Sequence, residues 1–151
     1  MDGFYIYLSS DASEREHPNN TKASFTTQLG EAIELDPKYL WSVALCEVIF
    51  PLAPGAVRKL DLSDETRGPI FVYTDIVTHS RVGDSSSRML RIVSNTDPHQ
   101  KFSQRYYTPL KCERISDISI LFTDRLGVKY PFNKSVNPII VVLHFAFSPR
   151  R

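Results

Sequence analysis

Residues 70–93 constrain the fold of this chain more than any other segment. Two runs rich in β-branched and aromatic side chains, 70–77 and 89–93, lie on either side of a polar connection that contains a single glycine, Gly83. Such side chains suit a pleated, half-buried sheet, and polar connections with glycine are typical of places where a chain reverses between strands. The segment therefore predicts two strands joined by a loop, residues 78–88.

Similar runs recur along the whole chain. With 151 residues, 42% of them hydrophobic and 11% aromatic, the chain can bury one core and is too short for two. The spacing of the runs favours an antiparallel sandwich over strands that alternate with helices, and only 31–38 and 58–65 are candidates for a helical turn. We expect one all-β domain, residues 1–151, of about eight strands. The strongest predicted strands are residues 4–8, 25–29, 39–50, 70–77, 89–93, 115–122 and 138–147, and weaker runs lie at 103–108 and 128–132.

The last predicted strand is apolar on both of its faces. Val141, Leu143 and Phe145 alternate with Val142 and His144. In a two-layer sandwich only one face of a strand looks into the core, so the other face needs a cover. That cover is a loop, a neighbouring subunit, or a bulge that changes which face the side chains take.

Charge is balanced overall but unevenly distributed. The formal net charge is +1, so no global field marks the chain as a nucleic-acid-binding protein. Residues 1–75 hold 12 acidic and 6 basic residues, a net −6, while residues 76–151 hold 5 acidic and 12 basic residues, a net +7. Either interleaved strands mix the two halves in space, or the surface is bipolar and suited to packing against copies of itself.

No constellation of residues in the sequence indicates catalysis, a metal or a cofactor. The four histidines are scattered without metal spacing, and the six glycines are isolated, so no phosphate loop is present. His79, with Ser80 and Asp84, resembles a Ser-His-Asp set in composition only, since such a site also needs a positioned base and an oxyanion hole. The chain is more economically interpreted as a building block or binding module than as an enzyme.

The two cysteines and the termini exclude further classes. Cys46 lies in an apolar run and is expected to be a core thiol, and two cysteines are too few for a disulfide scaffold. The N-terminal residues lack the basic and apolar regions of a secretory signal, and no run reaches transmembrane length. The basic C-terminal residues 148–151 could contact nucleic acid. Tyr106 and Tyr107 beside Arg105 could stack on bases, but sheet-face packing is the more usual role of such side chains.

The chain resembles the small capsid protein, the penton, of Maverick/Polinton-type elements and adintoviruses. The resemblance covers nearly the whole length and consists of strand patterns rather than catalytic signatures. It is carried by residues 4–8, 19–29, 41–51, 70–77, Val82-Gly83-Asp84, 90–93, Tyr107-Thr108-Pro109-Leu110, 115–122 with Asp124 and Gly127, and 141–145.

The resemblance implies a single jelly-roll antiparallel β-sandwich that serves as a minor capsid protein. Such a protein forms homopentamers at the five-fold vertices of an icosahedral capsid, so the implied location is the virion. The implied partners are further copies of the chain and a major capsid protein, with packaged DNA as a candidate for the basic C-terminus. No cofactor and no membrane insertion are expected.

Five-fold closure requires two different patches on each subunit. The uneven charge and the surplus apolar face of the last predicted strand are the candidate patches, and the loop at 78–88 is a candidate rim of the five-fold vertex. The predicted interface residues are Ile140, Val142, His144, Ala146, Arg81, Asp84 and Arg88.

A lectin-like or peptide-binding β-sandwich is the alternative from another class, because jelly rolls also occur as binding modules. It would need exposed aromatic side chains on one face. The candidates are Tyr5, Tyr7, Tyr73, Tyr106 and Tyr107.

Overall fold

The computed structural model describes residues 3–78, 80–82 and 85–150, and it describes only the backbone of 80–82 and 85–87. Within these residues the chain forms strands and one three-residue 3-10 helix, Glu65–Arg67. The strands are β1 Gly3–Ser9, β2 Ser24–Glu34, β3 Tyr39–Ile49, β4 Ile70–Thr74, β5 Ser80–Val82, β6 Ser85–Ser87, β7 Met89–Val93, β8 His99–Lys101, β9 Thr108–Pro109, β10 Arg114–Thr123 and β11 Ile140–Pro149.

The strands form two antiparallel sheets packed face to face. Sheet A has the order β1-β11-β3-β8, with the short β9 also paired to β3, and sheet B has the order β2-β10-β4-β7. The hairpin β5-β6 stands apart from both sheets. From β1 to β4 the chain changes sheet at every connection, and it does so again from β7 to β8, from β9 to β10 and from β10 to β11. This wrapping of a five-stranded and a four-stranded layer is the jelly-roll arrangement, so the predicted fold class is confirmed.

The core lies between the inner faces of the two sheets. Ile118, Ile120 and Phe122 of β10 are at most 1% exposed, as their alternation in the sequence predicts. The ring of Phe122 packs edge-on against Phe50 of the opposite sheet, with centroids 5.7 Å apart. Both layers therefore contribute large side chains to one shared apolar cluster.

A β-bulge in β3 changes the faces that simple alternation assigns to this strand. Leu143 of β11 pairs with Leu45, but its neighbour Val142 pairs with Glu47, so Cys46 is an extra residue. As a result Leu45 and Val48 both point into the core, although alternation placed them on opposite faces. Cys46 is buried, as expected, and its thiol donates a hydrogen bond to the Val142 carbonyl at 3.3 Å.

Two weak strand predictions and both helical-turn predictions differ from the structure. Residues 103–108 are mostly irregular, with short strands on either side, and residues 128–132 make only isolated bridges. The 31–38 segment begins inside β2, and the only helical turn among the described residues begins at Glu65, the last residue of the predicted 58–65 segment. The local secondary-structure propensity of these segments did not predict their conformation, because pairing partners from distant parts of the chain decide where a strand forms.

No helix among the described residues has the length and apolar character needed to cross a lipid bilayer.

We expect Gly3→Ala to weaken the pairing of β1 with β11. A Cβ on Gly3 would lie 1.7 Å from the carbonyl oxygen of Phe145, so the strand would have to move away. The amides of β1 should then exchange with solvent faster, and the unfolding free energy should fall by about 1–3 kcal/mol. Gly30→Ala is the matched control because its Cβ meets nothing within 4 Å, and equal effects at both glycines would contradict the expectation.

Candidate assembly surfaces

A loop of the chain itself covers the outer face of sheet A. Residues 102–107, which we call the strap, connect β8 to β9 and return across β3 and β11. The strap begins with a backbone hydrogen bond from Phe102 N to the Cys46 carbonyl at 2.9 Å. From the middle of the strap, the side chain of Arg105 reaches Tyr5 on β1, the edge strand at the opposite side of the sheet.

The strap holds the outer face through aromatic and basic side chains. The hydroxyl of Tyr107 lies 2.8 Å from Nδ1 of His144, and Arg105 Nη1 donates to the hydroxyl of Tyr5 at 3.1 Å. The Arg105 guanidinium also lies 5.4 Å from the centroid of the Tyr5 ring. Hydrogen bonding to Tyr5 raises the pKa of Arg105, so this strap residue stays charged where it contacts β1.

A second arginine anchors the strap to sheet B. Arg91 of β7 lies between two rings of the strap, with its guanidinium carbon 3.8 Å from the centroid of Phe102 and 4.5 Å from that of Tyr106. Its Nη1 atom also donates to the Gln104 carbonyl at 2.7 Å. These contacts join the two sheets along the side where β7 and β8 are the outermost strands.

The strap removes most of the apolar surplus that motivated the interface prediction for β11. Val142 and His144 are each 4% exposed and Ala146 is fully buried, all within a single chain. Only Ile140 keeps an accessible part of its side chain. Of the three covers that the sequence left open, a loop and a bulge are present, so the burial of these side chains does not require a neighbouring subunit. Whether this face meets another protein stays a prediction.

The predicted rim at 78–88 is only partly described. Arg88 is exposed at the start of β7, where its carbonyl accepts a hydrogen bond from Thr74 N at 3.1 Å. Asp84 and the side chain of Arg81 lie outside the described residues, as does His79. The structure does not bring Arg88 together with the β11 residues, which lie in the other sheet.

The aromatic candidates for a binding module are distributed over several environments. Tyr5 and Tyr7 point outward from β1 and are 50% and 71% exposed, while Tyr106 is 53% exposed over Arg91. Tyr107 is half-buried against His144. Tyr73 is half-buried in β4. Three of these five tyrosines are thus committed to the strap or its contacts, so their packing role is the better supported one.

An ion-pair network links the loop at 51–69 to the turn that follows β10. Arg67 donates to Asp64 Oδ2 at 2.9 Å and to Asp124 Oδ2 at 3.0 Å. Hydrogen bonds from Thr66 and Arg67 lower the pKa of Asp64 to about 2. No group of three His, Cys, Asp or Glu side chains that could hold a metal ion occurs in the part of the chain that the structure describes.

Burial makes His144 a source of pH-dependent stability. Burial first, and then the charge of Arg105, lower the pKa of His144 from 6.5. The unfolded chain therefore binds this proton at a higher pH than the folded chain does, and the contribution to stability, complete above about pH 6.5, is lost as the pH falls towards the folded pKa. We expect the unfolding free energy to be lower at pH 5.5 than at pH 7.5.

His144→Gln is the control, because glutamine can still accept a hydrogen bond from Tyr107 but does not titrate. Denaturant titrations of both proteins should show a smaller loss between pH 7.5 and 5.5 in the variant. An identical loss in both proteins would mean that other groups cause the pH dependence.

Comparison with solved structures identifies a protein with the same fold. The crystal structure of selenomethionine-labelled mavirus penton protein superimposes on 99% of this chain and 100% of its own, with a TM-score of 0.59 and 8% sequence identity. No protein-family model and no curated protein matches the sequence. The chain thus shares with the mavirus penton protein the single jelly-roll sandwich that the strand order shows.

Proposed function

We propose that this chain is a viral minor capsid protein, a penton, that forms homopentamers at the five-fold vertices of an icosahedral capsid. The observation that supports it most directly is the end-to-end structural match with the mavirus penton protein, which leaves almost no part of either chain unmatched. The strand patterns of the sequence favour the same family on separate grounds. The proposed location is accordingly the virion, and the role is structural rather than catalytic.

The surfaces of the sandwich support an assembly role. The strap covers β11 on the outer face of sheet A, while Tyr7 on β1 of the same face stays 71% exposed. Contacts with other proteins would use the remaining exposed surfaces, namely the β1 side of this face, the edges of the two sheets, the loops at their ends and the outer face of sheet B. Five-fold closure needs two unlike patches on each copy, and different edges of a sandwich can provide them. A major capsid protein would contact the rest of the exposed loops.

The proposed role of the basic C-terminus is contact with packaged DNA. Arg150 is exposed, but its Nε atom donates to the Pro37 carbonyl at 2.7 Å, so part of its donor capacity is already used. Contact with packaged DNA at this end remains a proposal that depends on the function of the whole particle.

Sedimentation of the purified chain over a wide concentration range tests the proposed function. We expect a species of five times the chain mass, and its co-sedimentation with particles assembled from the matching major capsid protein. A strict monomer at high concentration that also fails to associate with particles would contradict the proposal.

A further inference from the structure

The two lateral sides of the sandwich differ in charge. At one side β1 and β2 are the outermost strands of sheets A and B, and at the other side β8 and β7 are. We call residues 3–34, which contain β1, β2 and their connection, the acidic flank. We call residues 88–112, which contain β7, β8, β9 and the strap, the basic flank. Strands of the two halves of the sequence alternate within each sheet, so the fold mixes most of their charge. What differs between the two sides is the sign of the charged residues that the outermost strands and their connections carry.

The acidic flank carries unpaired carboxylates. It contains five acidic and two basic residues, a net −3. The connection between β1 and β2 lies along β2, because Gln28 N donates to Ser13 Oγ at 2.9 Å. Glu16 in this connection and Glu31 in β2 are exposed, and neither takes part in an ion pair among the described residues. Lys22, one of the two bases, donates to the Ser135 carbonyl.

Among the described residues, the lysines and arginines of the basic flank have no carboxylate partner. It contains five basic residues and one acidic residue, a net +4. The single acid, Asp97, lies 3.5 Å from Arg58, a base outside the flank. Arg88 and Lys101 are exposed, and within the described part of the chain no base of this flank forms an ion pair. Glu47, which lies opposite Lys101 in the register, is hydrogen-bonded to His99 instead.

The two flanks have the properties that a ring of identical copies needs. They are different patches that lie on opposite sides of one subunit. Their exposed side chains without ion-pair partners among the described residues are opposite in charge, Glu16 and Glu31 on one flank and Arg88 and Lys101 on the other. Charge complementarity of this kind orients partners and suppresses wrong contacts. Binding of a nucleic acid would account for the basic flank alone, whereas a second copy accounts for both flanks at once.

We propose that the acidic flank of one copy docks against the basic flank of the next copy in a head-to-tail ring. Glu16 and Glu31 then face Arg88 and Lys101 of the neighbouring subunit. This inference rests on the proposed homopentamer and adds which surfaces form its subunit interface and in which direction the ring runs.

Charge reversal on each flank, alone and together, tests the proposal. We expect Glu16→Lys with Glu31→Lys, or Arg88→Glu with Lys101→Glu, to raise the concentration for half-assembly about tenfold or more, because like charges then meet. The protein with all four changes should assemble within about threefold of the wild type, since the flanks attract again with exchanged signs. Arg125→Glu, in the exposed turn after β10, is the control and should leave assembly unchanged.

Sedimentation and circular dichroism of each variant separate the outcomes. If the reversal variants are folded and assemble like the wild type, the flank assignment is overturned and the pentamer proposal is unaffected. The same conclusion follows if the protein with all four changes is folded but does not regain assembly. A wild type that never forms a five-fold mass would overturn the proposed function itself. Loss of binding to a short DNA duplex in the Arg88→Glu, Lys101→Glu protein, with assembly unchanged, would overturn the proposal and assign the basic flank to nucleic acid.

Discussion

Val142→Asp is expected to destabilise the fold strongly rather than only prevent assembly. Val142 is 4% exposed on the outer face of sheet A, between Tyr7 of β1 and Glu47 of β3. A carboxylate at this position would lose its hydration and lie beside the carboxylate of Glu47. We expect a loss of about 3 kcal/mol or more, which is a large part of the stability of a domain of this size.

Val136→Asp is the matched control for this prediction, because Val136 is 95% exposed and the chemical change is the same. Urea denaturation should show a change within about 0.5 kcal/mol for Val136→Asp. A monomeric Val142→Asp protein of normal stability that fails only to assemble would show instead that the outer face of β11 is an interface and that the strap does not close it.

Leu143→Ala tests the opposite face of the same strand. We expect it to lower the free energy of unfolding by a comparably large amount. Leu143 is fully buried between Ile6 of β1 and Leu45 of β3, where it points into the core. Truncation removes buried methyl groups and leaves a cavity that the neighbouring strands cannot fill, at a cost of about 2–5 kcal/mol. The loss should appear as a lower urea midpoint with an unchanged slope.

Leu126→Ala is the matched control because Leu126 lies in a turn and is 77% exposed. We expect its urea midpoint to remain close to that of the wild type. A comparable loss of stability in both variants would contradict the assignment of Leu143 to the core.

The fold could be predicted from the sequence wherever one strand face is apolar and the other polar. Phe4, Ile6 and Leu8 of β1 and Ile118, Ile120 and Phe122 of β10 have the orientation that their alternation indicates. Alternation fails at Cys46, because a bulge inserts one residue and shifts every later side chain of β3 to the other face. Nothing in the local pattern of β3 marks that insertion, which depends on its partner β11.

The candidate surfaces could be predicted less well than the fold. The double apolar character of β11 was a correct signal that something covers its outer face, but the sequence could not choose between a loop and a second subunit. The strap is visible in the sequence only as the aromatic and basic cluster of Phe102, Arg105, Tyr106 and Tyr107, whose partners Tyr5 and Arg91 are distant along the chain. Likewise, the charge difference between the halves could not be assigned to surfaces from the sequence, because the sheet order alternates strands of the two halves.

Electron microscopy of the purified, untagged chain tests the central claim most directly. Class averages at a concentration above the assembly threshold should show closed rings of five subunits, each with the width of one jelly-roll sandwich, and the rings should become rarer at high salt because screening weakens the contact between the flanks. Fields that contain only single subunits at every concentration, or closed rings of a different number of subunits, would contradict the assignment of this chain to the five-fold vertices of a capsid.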